Sequence, residues 1–252
     1  MSYIGTVKKE QMLVERPAIE RAVEEAAAFA GYTSSGNAGD HAGRTFHLRY
    51  SGDWGPDQIK IDLIYLNRSP LLAPLMRACR LRPMLSVLAF SDFELVGGKV
   101  KALYDRVAAR DIYDISNLKH HLDSLVAEQP ELGELCHKVM LYCASISRHF
   151  PLPLDKRVAD RFAGRENELK AQLYPMLRES ERPTLESLIE TGESFVSEYV
   201  LPRTEAEQEY LERFAMADYQ PALLFAGHDE VAVAAERNPE ALWKLANLEK
   251  LK

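Results

Sequence analysis

The stretch QIKIDLIYL, residues 58–66, sets a carboxylate inside a run that otherwise reads as a β-strand. Side chains alternate faces along a strand. Ile59, Ile61, Leu63 and Tyr65 then share a core face, and Lys60, Asp62, Ile64 and Leu66 share the other. That second face is half apolar, so it is expected to be covered at its Leu66 end and open at Lys60 and Asp62. A charge in an apolar strand needs a partner, because burying it alone is costly. Two chemistries would satisfy Asp62. One is a divalent cation, since magnesium takes hard oxygen ligands and shares them with phosphate. The other is an ion pair with Lys60 or with an arginine at a sheet edge.

A second group of charges lies in ELVGGKVKALYDRVAARDIYDISNL, residues 94–118. Read as one helix, Lys99, Arg106, Arg110 and Asp114 stack on a single face, being seven, four and four residues apart. Ala102 and Leu103 leave room beside them. One lysine and two arginines in line could grip a triphosphate. Asp111 lies off this stripe by about a third of a turn, where it could orient an arginine or meet a neighbouring helix. The same residues also suit a solvated face laced with ion pairs such as Arg110–Asp114. The GGK element is not a phosphate loop of the GxxxxGK[ST] type.

The elements that must position these groups follow from local pattern. Residues 10–30 are rich in Ala and Glu and suit a helix, with Pro17 near its start. GYTSSGNAGDHAG reads as a loop. RTFHLRY (44–50) and IKIDLIYL (59–66) read as a hairpin with a long SGDWGPDQ turn. From about residue 92 onward nearly everything reads as helix: 94–128, 131–149, 155–179, 183–200, 204–217 and 229–250, with HFPLPLD as the clearest break. A small mixed sheet at 1–92 followed by a helical region at 93–252 is an α+β arrangement, not alternating βα units.

Composition excludes several classes. The 252 residues carry a net charge of −7, so the molecule as a whole is not a basic nucleic-acid binder. Arg77, Arg80 and Arg82 form the one local basic cluster after the strand, suited to an RNA backbone or to a solvated turn. Three cysteines without a CxxC, Cys79, Cys136 and Cys143, suggest neither a disulfide framework nor a zinc ribbon. His120, His121 and His137 lack the spacing of a helical metal motif. Trp54 and Trp243 read as packing residues. No apolar run reaches membrane-spanning length and no signal peptide is evident, which points to the cytoplasm, of a bacterium.

IKIDLIYLNRSP (59–70), the 94–118 segment and the tail YQPALLFAGHDEVAVAAERNPEALWKLANL (219–248) together resemble the AbiEii/AbiGii toxin family of nucleotidyltransferases. The helix segment follows the family pattern K-x-x-A-L-x-x-R-x-x-x-R-D-x-x-D from Lys99, and the resemblance runs from about residue 40 to the C-terminus. It implies a polymerase-β-like nucleotidyltransferase core, partial here, with a large helical extension. It implies NTP and Mg2+ as ligands, a role as the toxin of a type IV toxin–antitoxin pair, RNA such as tRNA as acceptor, and a cognate antitoxin that need not touch the toxin. Carried over by position, Asp62 would be the third active-site carboxylate and a metal ligand. Lys99 would contact the nucleotide phosphates, with Lys60 beside Asp62 also nucleotide-binding. Asp111 and Asp114 would be the paired catalytic aspartates, supported by Arg106 and Arg110.

One part of the family pattern is missing. The Gly-[Gly/Ser]-[Thr/Ser] turn and Asp-x-Asp strand, whose aspartates hold the two metals, do not occur before Asp62. The chain reads as beginning just after that unit. One aspartate cannot do the work of three, so two expectations stand: a nucleotidyltransferase, or an inactive nucleotide- or partner-binding member of the family.

Overall fold

The computed structural model describes residues 8–40, 42–66, 69–106, 108–154 and 158–250. It divides into two compact units, Met1–Pro70 with Arg237–Leu242, and Leu71–Glu236 with Trp243–Lys252. The architecture is α+β, with two small sheets, both antiparallel, and many helices.

In the first unit, helix α1 (Lys9–Phe29) leads into strands β1 (Thr33–Gly39), β2 (Gly43–Gly52) and β3 (Gly55–Ile64), paired in the order β1-β2-β3. Met12, Ile19, Val23 and Ala27 recur at helical spacing on α1 and pack with Phe46, Leu48, Ile61, Leu63 and Tyr65. The helix thus covers one face of the sheet. Pro17 lies well inside α1 and not near its start.

Charged groups fasten the helix to the sheet. Glu20 accepts from Arg16 and Arg44, each at 2.6 Å, and Arg44 also reaches Glu24 at 2.6 Å. Burial raises the Glu20 carboxyl, but the hydrogen bonds from Arg44 and Arg16 outweigh it and hold the group below its ordinary range. Gly43 is required where it stands. A Cβ there would lie 2.5 Å from the Leu63 carbonyl oxygen.

Three expectations change here. TSSGNAG, read as loop, forms β1, an edge strand whose small polar residues carry no period-two signal. The long hairpin turn is a tight one. Pairing runs to Gly52 and Gly55, leaving Asp53 and Trp54 as the turn, with Gly55 at φ 104°. That left-handed backbone favours glycine. Trp54 is fully exposed at this tip and packs on nothing, contrary to its reading as a packing residue.

The second unit opens with the hairpin β4 (Leu75–Cys79) and β5 (Arg82–Ala89), which the sequence pattern did not suggest. Helices follow: α2 (Asp92–Arg106), α3 (Ala109–Glu128), α4 (Gly133–Ser145), α5 (Val158–Phe162), α6 (Glu166–Glu168), α7 (Leu185–Tyr199), α8 (Glu205–Ala215), α9 (Pro221–Leu224) and α10 (Asp229–Glu236), and α11 (Pro239–Glu249) starts in the first unit's Arg237–Leu242 and ends in the second. Helix α2 packs on α4, and α3 on α7. Gly97 permits the first approach, because a Cβ there would meet the Cys143 sulfur at 2.5 Å.

Besides 94–128, which splits into α2 and α3, two expected long helices are broken. Residues 155–179 split into α5, α6 with a π turn, and a 3-10 turn, divided at Gly164 with φ 75° and at Pro175; Asp155, Lys156 and Arg157 lie outside the described residues. Residues 229–250 split into α10 and α11, where Asn238 caps α11 by accepting from Glu240 and Ala241. No helix of the described residues is long and apolar enough to cross a membrane.

Candidate functional site

The strand β3 carries Asp62 on the face away from α1. Leu63 and Tyr65 are buried and Ile61 is half-buried, as the alternation requires, but Ile59 is exposed. Ile59 lies opposite the buried Leu48, on the outer strand of the three. On the opposite face Lys60 and Ile64 are exposed, while Asp62 and Leu66 are half-buried, so the expected cover at the Leu66 end is partial.

Asp62 lies opposite Thr45 in the β2–β3 register. The Thr45 hydroxyl donates to Oδ1 at 2.6 Å and the Lys60 ammonium meets Oδ2 at 3.0 Å. Thr45 is the main cause of a carboxyl held below its ordinary range, with Lys60 adding to it against slight desolvation. The ion pair weighed from the strand pattern is therefore formed.

Asp62 and Thr45 help line a pocket of about 420 Å³ with Asp40, Gly43 and Arg44. Asp40 is spent locally, its Oδ1 accepting from Ala42 and Gly43 at 2.8 and 2.9 Å. Thr45 was not singled out from the sequence. The tight turn held the signal, because a two-residue connection between Gly52 and Gly55 fixes which residue faces Asp62.

The helical motif belongs to the second unit. Ser91 accepts from the Glu94 amide at 3.2 Å and starts α2. Burial raises the Glu94 carboxyl, while the Leu71 and Leu72 amides donating to it partly counter that. Phe93, Val96, Val100, Leu103 and Tyr104 form the buried face of α2, and Ile112, Ile115 and Leu122 that of α3.

The motif does not lie on one helix. The chain breaks between Arg106 and Ala109, with Ala108 extended at φ −90° and ψ 150°, and α3 packs against α2. The single stripe of Lys99, Arg106, Arg110 and Asp114 is therefore replaced by two bridges between helices. Lys99 meets Asp114 at 2.7 Å, and Arg106 meets Asp111 at 2.6 Å. The expected local pair Arg110–Asp114 is not among the ion pairs of the described residues. Arg110 is exposed.

The two bridges differ in setting. Asp111 is fully buried, and its Oδ2 also accepts the Ala108 amide at 3.2 Å, which caps the start of α3. Lys99 and Asp114 are 46% and 33% exposed, so their bridge faces water. Chemically, this rim offers an ammonium and two guanidinium groups to an anion, with one carboxylate competing for the ammonium.

Other candidates resolve simply. Arg77 pairs with Asp92 at 2.7 Å, while Arg80 and Arg82 are exposed at the β4–β5 turn. Cys136 and Cys143 are buried and free, and Cys79 is half-buried. Burial pushes the Cys136 thiol up to about 12. His120 and His121 are exposed, and His137 is buried beside Glu207.

A family model described as nucleotidyl transferase AbiEii toxin, type IV toxin–antitoxin system, matches residues 6–194. No curated protein and no solved structure matches the chain.

Proposed function

Because the chain belongs to the nucleotidyl transferase AbiEii toxin family of type IV toxin–antitoxin systems, we propose that it moves a nucleotide from an NTP to an acceptor, with RNA such as tRNA as the acceptor class. The observation that supports this most is the convergence of the motif. Its two ends, Lys99 and Asp114, meet across α2 and α3, and the cations Lys99, Arg106 and Arg110 stand on exposed or half-exposed positions. In this reading Lys99, Arg106 and Arg110 bind the triphosphate. An arriving phosphate draws Lys99 from Asp114, and the buried Asp111 holds Arg106 in place. Lys60 and Asp62, in the sheet region 1–92, form a separate candidate pair there, the lysine toward a nucleotide and the carboxylate toward a metal ion. Region 93–252 carries the phosphate grip.

Nucleotidyltransferases generally use divalent metals. Asp62 is the side chain that would hold one here, with Asp111 and Asp114 as the family's paired aspartates. The first is engaged by Thr45 and Lys60, the second by Arg106 and the third by Lys99. No group of three or more metal-binding side chains occurs among the described residues. Magnesium wants near-octahedral oxygen ligation. These residues alone do not fit the ion. The same observation favours a second reading, a member that binds NTP or a partner and does not transfer. A cognate antitoxin completes either assignment.

Equilibrium binding of a fluorescent NTP, beside incorporation of labelled NTP into tRNA, tests both. Lys99→Ala is expected to weaken binding about 10- to 100-fold, the worth of one charge-assisted contact. Asp62→Asn is expected to keep binding and lose transfer. Binding without transfer in the unaltered chain selects the second reading. No binding at all, or full transfer by both variants, refutes the first.

A further inference from the structure

The charged motif turns between α2 and α3, although YDRVAARD holds neither glycine nor proline. In an unbroken helix the Tyr104 carbonyl would accept the Ala108 amide, and the Ala109 amide would donate to the Asp105 carbonyl. Side chains take three of these backbone groups instead. Asp111 accepts the Ala108 amide at 3.2 Å. The other two meet a later segment of the chain. Arg161, on α5, donates to the Tyr104 carbonyl at 2.9 Å, and Glu168, on α6, accepts the Ala109 amide at 3.3 Å. Tyr104 and Ala109 are buried, so their backbone groups need such partners.

The later segment is built to hold both helix ends. Gly164, at φ 75°, turns the chain between α5 and α6. Arg165 ties the two sides together, its Nε donating to the Arg161 carbonyl at 3.2 Å and its Nη1 to Glu168 at 2.7 Å. The Arg161 guanidinium also lies 5.0 Å from the centre of the Tyr104 ring. A cation suits the carbonyl end of a helix and a carboxylate suits the amide end, so each charge matches the end it meets.

Without these partners the freed groups could pair with one another and rebuild one helix. On such a helix Lys99 and Asp114, fifteen residues apart, would stand about 22 Å from each other along the axis. Their bridge at 2.7 Å exists because the turn is held.

We propose that Arg161 and Glu168 are positioning residues for the charged motif. They hold the turn that brings Lys99 to Asp114 and Arg106 to Asp111, and so set the geometry of the phosphate grip, which rests on the reading of Lys99, Arg106 and Arg110 as a triphosphate site.

Equilibrium binding of a fluorescent NTP tests this in variants whose circular dichroism matches that of the unaltered chain. Arg161→Ala and Glu168→Ala are expected to weaken binding about 3- to 10-fold, less than loss of a cation that meets the phosphate directly. Arg165→Ala, a milder change, is expected to give the same loss in smaller measure. Glu168→Gln keeps an oxygen for the Ala109 amide and is expected to restore most of the affinity. Asp123→Ala is the control: it breaks contacts of α3 with Tyr199 and Lys119 away from the turn, and is expected to lower Tm and leave binding unchanged. Amide exchange at Ala109 is expected to quicken in Glu168→Ala and not in Glu168→Gln. An unaltered chain that binds no NTP ends the reading of the grip, and the exchange rate then decides the turn by itself. Unweakened binding in both alanine variants overturns the proposal, as does an equal loss in Asp123→Ala or an unchanged exchange rate at Ala109.

Discussion

Replacing Asp111 by alanine should separate structure from function within the charged motif. The side chain is fully buried and serves two partners, Arg106 at 2.6 Å and the Ala108 amide at 3.2 Å. Loss of the charge-assisted bond costs about 1.5–3 kcal/mol, and loss of the helix-start contact about 1 kcal/mol. The Arg106 side chain is 48% exposed and can rehydrate. The cost therefore stays below the upper end of about 3–5 kcal/mol for breaking a fully buried pair. The expected total is about 2–4 kcal/mol, a fall in Tm of about 4–16 °C for a unit of this size. Asp114→Ala breaks a bridge that faces water and should cost about 0–1 kcal/mol. Thermal and urea unfolding followed at 222 nm measure both. An Asp114→Ala loss equal to that of Asp111→Ala, or an Asp111→Ala loss under about 1 kcal/mol, would refute the assignment of Asp111 as the structural member of the motif.

Two further outcomes follow from buried contacts in the helical unit. Burial depresses the His137 pKa below 6.5, despite the opposing Glu207 carboxylate at 3.3 Å. The unfolded chain therefore takes the proton first. Its contribution to stability is full above pH 6.5 and declines as pH falls from there through the folded pKa. Urea unfolding between pH 5 and 8 should show that slope, and His137→Gln should flatten it; an unchanged slope removes His137 as its source. Gly97→Ala would drive a Cβ to 2.5 Å from the Cys143 sulfur. The overpacking costs about 1–3 kcal/mol against about 1 kcal/mol gained in helix propensity. Adding Cys143→Ala should recover most of the loss, and failure to do so would place the strain elsewhere.

Local pattern carried the helices furthest. Ala and Glu richness marks α1, and the breaks that bound 183–200 and 204–217 mark α7 and α8, each within a few residues of its ends; the Thr204–Glu207 capping box has the form T-x-x-E. The core face of β3 was legible at Ile61, Leu63 and Tyr65 because strand alternation is a local property. Strand β1 was not, because TSSGNAG has no apolar face and takes its conformation from pairing with β2. The β4–β5 hairpin was not, because its apolar residues lie on both faces and break the period-two signal.

The sequence by itself determined the family pattern that links Lys99 to Asp114 and the α+β class, and it nominated Asp62, Lys99, Asp111 and Asp114 as candidates. Those depend on residue type and spacing along the chain. The tertiary structure decided what each charge does. The helical period continues unbroken through YDRVAARD, with no glycine or proline to stop it. The chain nevertheless turns at Ala108, where the apolar faces of α2 and α3 can both be buried and Asp111 caps the new helix. That turn converts one stripe into two bridges, a buried one at Asp111 and a wet one at Asp114. Likewise, the pairing of Thr45 with Asp62 is a matter of strand register, which residue order constrains only through the turn that sets it.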